Sequence, residues 1–285
     1  MNANKLYKCV ALTFLFLFSK TGFAISPPEH EAVPGGVAVI PIPSTEQNKP
    51  EAHYNKKPIM VIKHDKQWHA IVGIPLSAKT DQQHHLTLTH ANGTQSTLPF
   101  QVSHKDYEIQ HLTIKNKRKV NPYEKDMPRI NQEKKRSNTA LSQWTVELLA
   151  QALKFDMPVQ GRQSSSFGLK RFFNEQPRKP HSGLDIAAPT GTPINAPADG
   201  KVILTGDMFF NGNSVYLDHG QGLITMYMHM NSIAVDEGQF VKRGQPLGTV
   251  GETGRVTGPH LHWGISLNNA RVNPLLFVAD IYKQE

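Results

Sequence analysis

The chain has 285 residues, 31 Lys and Arg against 23 Asp and Glu, a formal charge of +8, and one cysteine, Cys9. A single cysteine rules out a disulfide framework and any metal site built on several thiolates. Stability must therefore come from a hydrophobic core, which a chain of this length can supply.

The first segment has the pattern of a secretory signal peptide. Lys5 and Lys8 precede an apolar run from Cys9 to Phe18, and Gly22 and Ala24 fit the small positions of a cleavage site. Ten apolar residues are too few for a bilayer that needs ~20, so cleavage after about Ala24 is expected and no membrane anchor remains. Cys9 lacks a lipobox-like lead, so lipidation is not expected. Removal of residues 1–24 takes away Lys5, Lys8 and Lys20. That leaves 28 basic against 23 acidic residues, a mature charge of +5. A net positive charge of this size fits ordinary solubility, with attraction to a polyanionic envelope matrix as the functional alternative.

Residues 25–36 form an extended lead-in, and 25–114 as a whole are predicted to be a small β-sandwich-like domain. Strand-like runs such as Val37-Ala-Val-Ile and Trp68-His-Ala-Ile-Val alternate with turns, and Asn92-Gly93 is a hairpin signal. Strand alternation assigns His84, His85, His90, His104 and His111 to solvent-facing positions, with no second metal site among them. Residues 115–137 are Lys-rich, with Asn121-Pro122 and Met127-Pro128, and are predicted to be a basic linker. The run lacks interleaved aromatics and lies in an exported chain, so nucleic acid is not an expected partner. Leu141, Trp144, Leu148, Leu149, Ala152 and Leu153 then make one apolar stripe, which predicts a helix over 138–156.

From 157 to 285 the pattern is all β, with short apolar runs between glycines, as in an antiparallel sheet or sandwich. Three pieces of this half carry chemistry: His181-Ser-Gly-Leu-Asp185, His229 within Met-Tyr-Met-His-Met, and His260-Leu-His262. Four imidazoles and a carboxylate suffice for a three-ligand zinc ion with an open position, plus two further histidines. Nitrogen donors favour zinc over magnesium or calcium. Alternation on a strand points His260 and His262 the same way and Leu261 into a core. By the same rule His229 and Tyr227 share a face, and Trp263 is core. His219, in Asp-His-Gly-Gln-Gly, sits in a turn and is expected to be structural. No His-Glu-x-x-His is present, so a histidine must handle protons near neutral pH.

His-x3-Asp, Met-Tyr-x-His and Gly-Pro-His-Leu-His-Trp-Gly together resemble the lysostaphin-type (LytM-like) zinc peptidoglycan endopeptidases. Gln163-Ser-Ser-Ser-Phe-Gly-Leu-Lys-Arg171, Ala196-Pro-Ala-Asp-Gly-Lys-Val202, Asp218-His-Gly-Gln-Gly222 and Val241-Lys-Arg-Gly-Gln-Pro-Leu-Gly248 extend the likeness over 159–278. The resemblance implies one zinc per chain held by His181, Asp185 and His262, with His229 and His260 as catalytic histidines. Which of that pair is the base stays open. It also implies an exported zinc endopeptidase that cuts cross-links or stem peptides of peptidoglycan; the signal segment and a β N-domain without Gram-positive wall-binding repeats point to the periplasm of a Gram-negative cell. A non-catalytic LytM-like binding or activator module, and a secreted bacteriolytic peptidase, are the alternatives. The bond cleaved is not legible, nor is any regulatory protein partner. A coil of about 20 residues spans on the order of 25 Å. The first domain could therefore fold back over the groove, to shield it or to position substrate, or it could act as a spacer.

Overall fold

Short runs rich in β-branched and aromatic residues, separated by glycine turns, fold into strands along most of the chain. The computed structural model describes residues 25–43, 48–150 and 152–282; the expected signal peptide lies outside them. The architecture is mainly β and mostly antiparallel, with one helix of more than a single turn among the described residues.

Two small sheets form the N-terminal unit. One has three strands in the order Val37–Ile42, Gln67–Gly73, Met60–His64. The other has four, in the order Lys57–Pro58, Glu51–Tyr54, His84–Thr89, Gln95–Phe100. Ala38, Ile40, Val61, Ala70 and Val72 meet Ala52, Leu86 and Leu88 in the interior of this sandwich. The opposite face of the three-stranded sheet is apolar too. Val37, Met60, Ile62 and Ile71 pack into the main core with Leu223, Tyr227, Trp263, Ile265 and Leu267. Burial on both faces explains why these strands are continuously hydrophobic.

The sandwich is thus docked on the second half of the chain rather than tethered at a distance. Backbone-like hydrogen bonds tie the two units. Asn268 accepts from Gly73 N (2.6 Å) and donates to Gly73 O (3.0 Å). Gln221 accepts from Val61 N (3.1 Å) and Lys49 Nζ (2.7 Å). The docking face is the one lined by Tyr227 and Trp263, whereas His262 alternates to the other side of the same sheet. The sandwich therefore does not fold back over the histidines.

The main sheet has ten strands. Its central path runs Phe240–Val241, Gly200–Met208, Gly212–Asp218, Leu223–Ile233, Leu261–Leu267, Leu184–Ala187, Arg162–Ser165. Leu261, Trp263, Ile265, Leu184 and Ile186 all point into the main core, which fixes the faces of the strands that carry Asp185 and His262.

Three expectations need correction. The helix lies at Met127–Leu141, not at 138–156, and the 115–137 segment is structured, with a short helix Lys117–Val120 and a 3-10 turn Glu124–Asp126 before it. Pro128 is well placed at the first turn, where its missing N–H costs nothing. Asp126 accepts from Tyr123 N (3.0 Å) and Arg118 Nε (2.8 Å) just ahead of it. The helix buries only Ala140 and Leu141 against Met208, Tyr216 and Met228. Arg129–Asp207 (3.0 Å) and Arg136–Glu237 (2.9 Å) fasten its polar side, so it has no apolar stripe to betray it. The stripe at 141–153 instead belongs to an irregular strap. There Ala150, Leu153 and Phe155 enter the core, and Leu149 N donates to His219 O (2.7 Å). Finally, His84 is buried, bridging Tyr54 Oη and Lys79 O at 2.7 Å each. His85, His104 and His111 are exposed and His90 is half-buried.

Asn268 is the sharpest probe of the docking. Asn268→Ala leaves the buried Gly73 N–H and C=O without partners, which should lower the unfolding free energy by about 1–3 kcal/mol. Chemical denaturation of the two proteins measures it; a change near zero would show that these bonds do not hold the units together.

Candidate metal centre

Asp185 and His262 are direct neighbours across the antiparallel pair Leu184–Ala187 and Leu261–Leu267. That register brings Asp185 Oδ1 to 2.7 Å from His262 Nδ1. His181 arrives from the loop before the strand, its N–H on Leu169 O (2.9 Å) and its C=O accepting from Gly168 N (2.8 Å). Its Nε2 lies 3.0 Å from Asp185 Oδ1 and 3.1 Å from His262 Nδ1. The three donor atoms form a near-equilateral triangle, and all three residues are buried.

A single proton cannot bond all three atoms of this triangle, because His181 Nε2, His262 Nδ1 and Asp185 Oδ1 converge on one point. A cation can. Tetrahedral zinc with bonds of ~2.0–2.1 Å puts its ligand atoms roughly 3.3 Å apart, close to the spacing seen. The residues therefore fit a divalent metal of the zinc type, with two nitrogens and one oxygen as donors.

The surroundings fix each donor. His181 Nδ1–H donates to Ser166 O (2.6 Å), which leaves the lone pair on Nε2. Asp185 presents Oδ1 to the cluster because Oδ2 is taken by Arg171 Nη2 (2.7 Å). Arg171 is itself held by Gln110 Oε1 (3.0 Å) and Ser165 Oγ (2.9 Å). Gln110 comes from Ile109–Leu112, which pairs in parallel with Lys170–Phe173. Burial alone pushes the Asp185 carboxyl up, but the close His181 and His262 rings outweigh it and hold the group well below the usual carboxylate range. Burial lowers His262 to about 4, against the opposing pull of Asp185. Both states, ionised Asp and neutral His, are the ones a metal needs.

Gly183 is needed for space. A Cβ there would sit 2.6 Å from both His262 Nε2 and Trp263 O. That contact also packs the Nε2 side of His262 against the backbone and leaves Nδ1 for the cluster.

The other two histidines flank the centre. His260 Nε2 is 3.9 Å from Asp185 Oδ1. Its Nδ1–H donates to Gly258 O (2.8 Å), as His229 Nδ1–H does to Thr253 O (2.8 Å). In that tautomer each ring leaves its Nε2 unprotonated. The ring centroids of His229 lie 5.0 Å from His260 and 6.0 Å from His262. Burial, then the neighbouring His260 and His262, push His229 well below the usual imidazole range.

His229 does not share a face with Tyr227. Its φ is +65°, and the pairing of Gly212–Asp218 with Leu223–Ile233 slips between Tyr227 and Met230. This bulge turns His229 to the side of Met228 and His262, while Tyr227 stays in the core. The left-handed backbone costs a non-glycine residue about 1–2 kcal/mol; the bond from His229 N to Asn211 O (2.8 Å) helps hold it. His219 is buried, with Nδ1–H on Asp199 O (2.7 Å) and Nε2 on Thr225 Oγ1 (2.8 Å), far from solvent and from the cluster's bonds. Trp263 is fully buried.

A cavity of about 490 Å³ opens beside the centre. It lies between the helix Met127–Leu141 and the sheet and reaches His181, His229 and His262. The sequence assigns no role to Arg171, which clamps the Asp185 carboxylate, or to the carbonyls of Ser166, Thr253 and Gly258. Backbone acceptors carry no sequence signal.

Comparison with known proteins agrees with this geometry. Residues 179–274 match peptidase family M23, and residues 30–105 match the peptidase family M23 N-terminal domain. The peptidoglycan DD-endopeptidase ShyA of Vibrio cholerae is 43% identical over 115 residues, 40% of this chain and 27% of that protein. The DD-carboxypeptidase/endopeptidase Mpg of Neisseria meningitidis is 41% identical over 114 residues, 40% of this chain and 26% of that protein. This chain thus spans about a quarter of the length of these curated relatives. A crystal structure from Pseudomonas aeruginosa, assigned to peptidase M23, superposes with a TM-score of 0.74 at 43% identity, covering 87% of this chain and 96% of that one.

The tight fit at Gly183 yields a direct check. Gly183→Ala should lower the unfolding free energy by about 1–3 kcal/mol, as overpacking does elsewhere, and weaken divalent-metal binding. Denaturation and metal titration read the two effects; wild-type values for both would show that the His262 contact is not confining.

Proposed function

Because this chain belongs to peptidase family M23, we propose that it is an exported zinc endopeptidase hydrolysing peptide cross-links or stem peptides of peptidoglycan. The observation that carries the reading is the triangle of His181 Nε2, Asp185 Oδ1 and His262 Nδ1, flanked by two imidazoles with free Nε2 atoms. In this reading His181, Asp185 and His262 hold one zinc ion. Zinc there supplies a Lewis acid for the scissile carbonyl and makes a water acidic near neutral pH.

The remaining work falls to the chain's own side chains. His229 and His260 are fixed through Nδ1 and present Nε2 as the atom that takes or returns a proton. An imidazole near its neutral form suits that exchange. Both can also donate from Nε2–H to an oxyanion once protonated, His229 from a buried position and His260 from a half-buried one. Arg171 pairs with the Asp185 carboxylate and fixes its orientation. The bulge at His229 is the strained feature that serves the site rather than the fold.

The names of the relatives support peptidoglycan as substrate and the cell envelope as the place of action. The sequence of residues 1–24 supports export, with the periplasm as the compartment. Among the described residues no helix is long and apolar enough to cross a membrane. The positive charge suits a polyanionic wall.

Incubation with purified sacculi, followed by mass spectrometry of the released muropeptides, tests the reading. Peptide-cleaved fragments should appear, vanish with a chelator and return with zinc. Intact sacculi at full zinc occupancy would contradict it.

Residue roles separate by metal content. His181→Ala, Asp185→Ala and His262→Ala should each hold well under one zinc per chain. His229→Ala and His260→Ala should keep the zinc yet lose turnover by roughly 10²–10⁴-fold, the range of general acid–base groups. A full zinc equivalent in His262→Ala, or an active zinc-loaded His260→Ala, would overturn the respective assignment.

A further inference from the structure

The cavity beside the centre has a lopsided charge. Lys134, Arg171, Arg178, Lys179, Arg255 and Arg271 line it against one acid, Glu133. Arg171 is already neutralised by Asp185. Glu133 is occupied by Arg129 and by Phe209 N (2.7 Å). The other cations have no carboxylate partner among the described residues.

Arg255 is the most constrained of them. Its guanidinium lies 4.7 Å from the ring centroids of both Phe173 and Phe210. Its only side-chain hydrogen bond among the described residues is a long one, 3.4 Å, to Lys119 O. Burial, then Arg171 and Arg178, lower its pKa to about 10. Arg178 donates to Val120 O, Asn121 Oδ1 and Gln176 Oε1, but its Nε is buried with no partner. Two rings packed against a guanidinium constrain it without using its N–H groups, and those groups can grip a carboxylate with two parallel bonds. Clustered, half-buried cations without counter-ions are costly, and an anion seated among them removes that cost.

We propose that Arg255, backed by Arg178, binds a carboxylate of the peptide that lies at the His181–Asp185–His262 centre. The substrate class is then a peptide bearing a free carboxylate on a residue next to the scissile bond. This rests on the peptidase reading above and deepens it. Arg171 links the two places: it bonds Asp185 and stands beside Arg255, so the carboxylate and the scissile bond are neighbours in one cavity.

The test uses the zinc-loaded chain and pairs of synthetic peptides. The members of a pair share the scissile bond and differ only in carrying a carboxylate or a carboxamide on a flanking residue, taken on each side in turn. In one pair kcat/KM should favour the carboxylate by ~10–100-fold, the range of a charge-assisted hydrogen bond. That ratio should fall at least tenfold in Arg255→Gln and stay partly intact in Arg255→Lys. Equal rates for every pair in the wild type, or an unchanged ratio in Arg255→Gln, overturn the proposal. If no peptide is cut, the peptidase reading fails and the subsite is judged by calorimetry alone. Tighter binding of the carboxylate form, lost in Arg255→Gln, supports it; equal binding of both forms rejects it. Should Arg255→Gln fail to fold, the wild-type ratio and Arg255→Lys decide.

Discussion

Everything at this site hangs on one cross-strand contact, Asp185 opposite His262. The pair is held in register by the residues on either side of each: Leu184 and Ile186 on one strand, Leu261 and Trp263 on the other, all in the main core. A slip of one residue would send the carboxylate inward and a leucine outward, so apolar burial enforces the position of the polar pair. Burying an ionised carboxylate is costly unless it is paired. Here Arg171 takes one oxygen, and the two imidazoles crowd the other, which leaves a demand for positive charge that a divalent cation meets. Stability and metal affinity are therefore coupled through the same few atoms.

Much of this was legible in the sequence. The spacing of His181 and Asp185 marks a turn entering a strand, and the His-Leu-His triplet has the core-facing leucine that alternation requires. The mainly β class followed from the density of short apolar runs and glycines. What periodicity misread, it misread for physical reasons. His229 follows Tyr227 by two, so simple alternation puts them together; a one-residue bulge separates them, and nothing in Met-Tyr-Met-His-Met announces it. Leu141 to Leu153 have helical spacing, yet they anchor an irregular strap whose backbone bonds go to His219 and its neighbours. The real helix at Met127–Leu141 is held mostly by ion pairs and so looks like a linker. His84 reads as a surface strand residue because its burial depends on Tyr54 and Lys79, both distant in sequence.

The N-terminal sandwich has a different place from that suggested by linker length alone. Its three-stranded sheet is apolar on both faces, and the outer face closes the main core behind the histidines. The segment after it passes along the site, where Gln110 steadies Arg171, and the helix Met127–Leu141 then forms one wall of the cavity. The N-terminal half therefore contributes to the centre through its framework and to the cavity through this one helix. The cavity's excess of cations gives that enclosed space a chemical preference that the metal centre alone would lack.

The central claim is that a zinc ion belongs at the meeting point of His181, Asp185 and His262. Crystals of the zinc-loaded protein measured on both sides of the zinc absorption edge test it most directly. The account predicts one strong anomalous peak at ~2.0–2.2 Å from His181 Nε2, Asp185 Oδ1 and His262 Nδ1 together. A peak on other residues, or none at this triangle in zinc-loaded crystals, would contradict it.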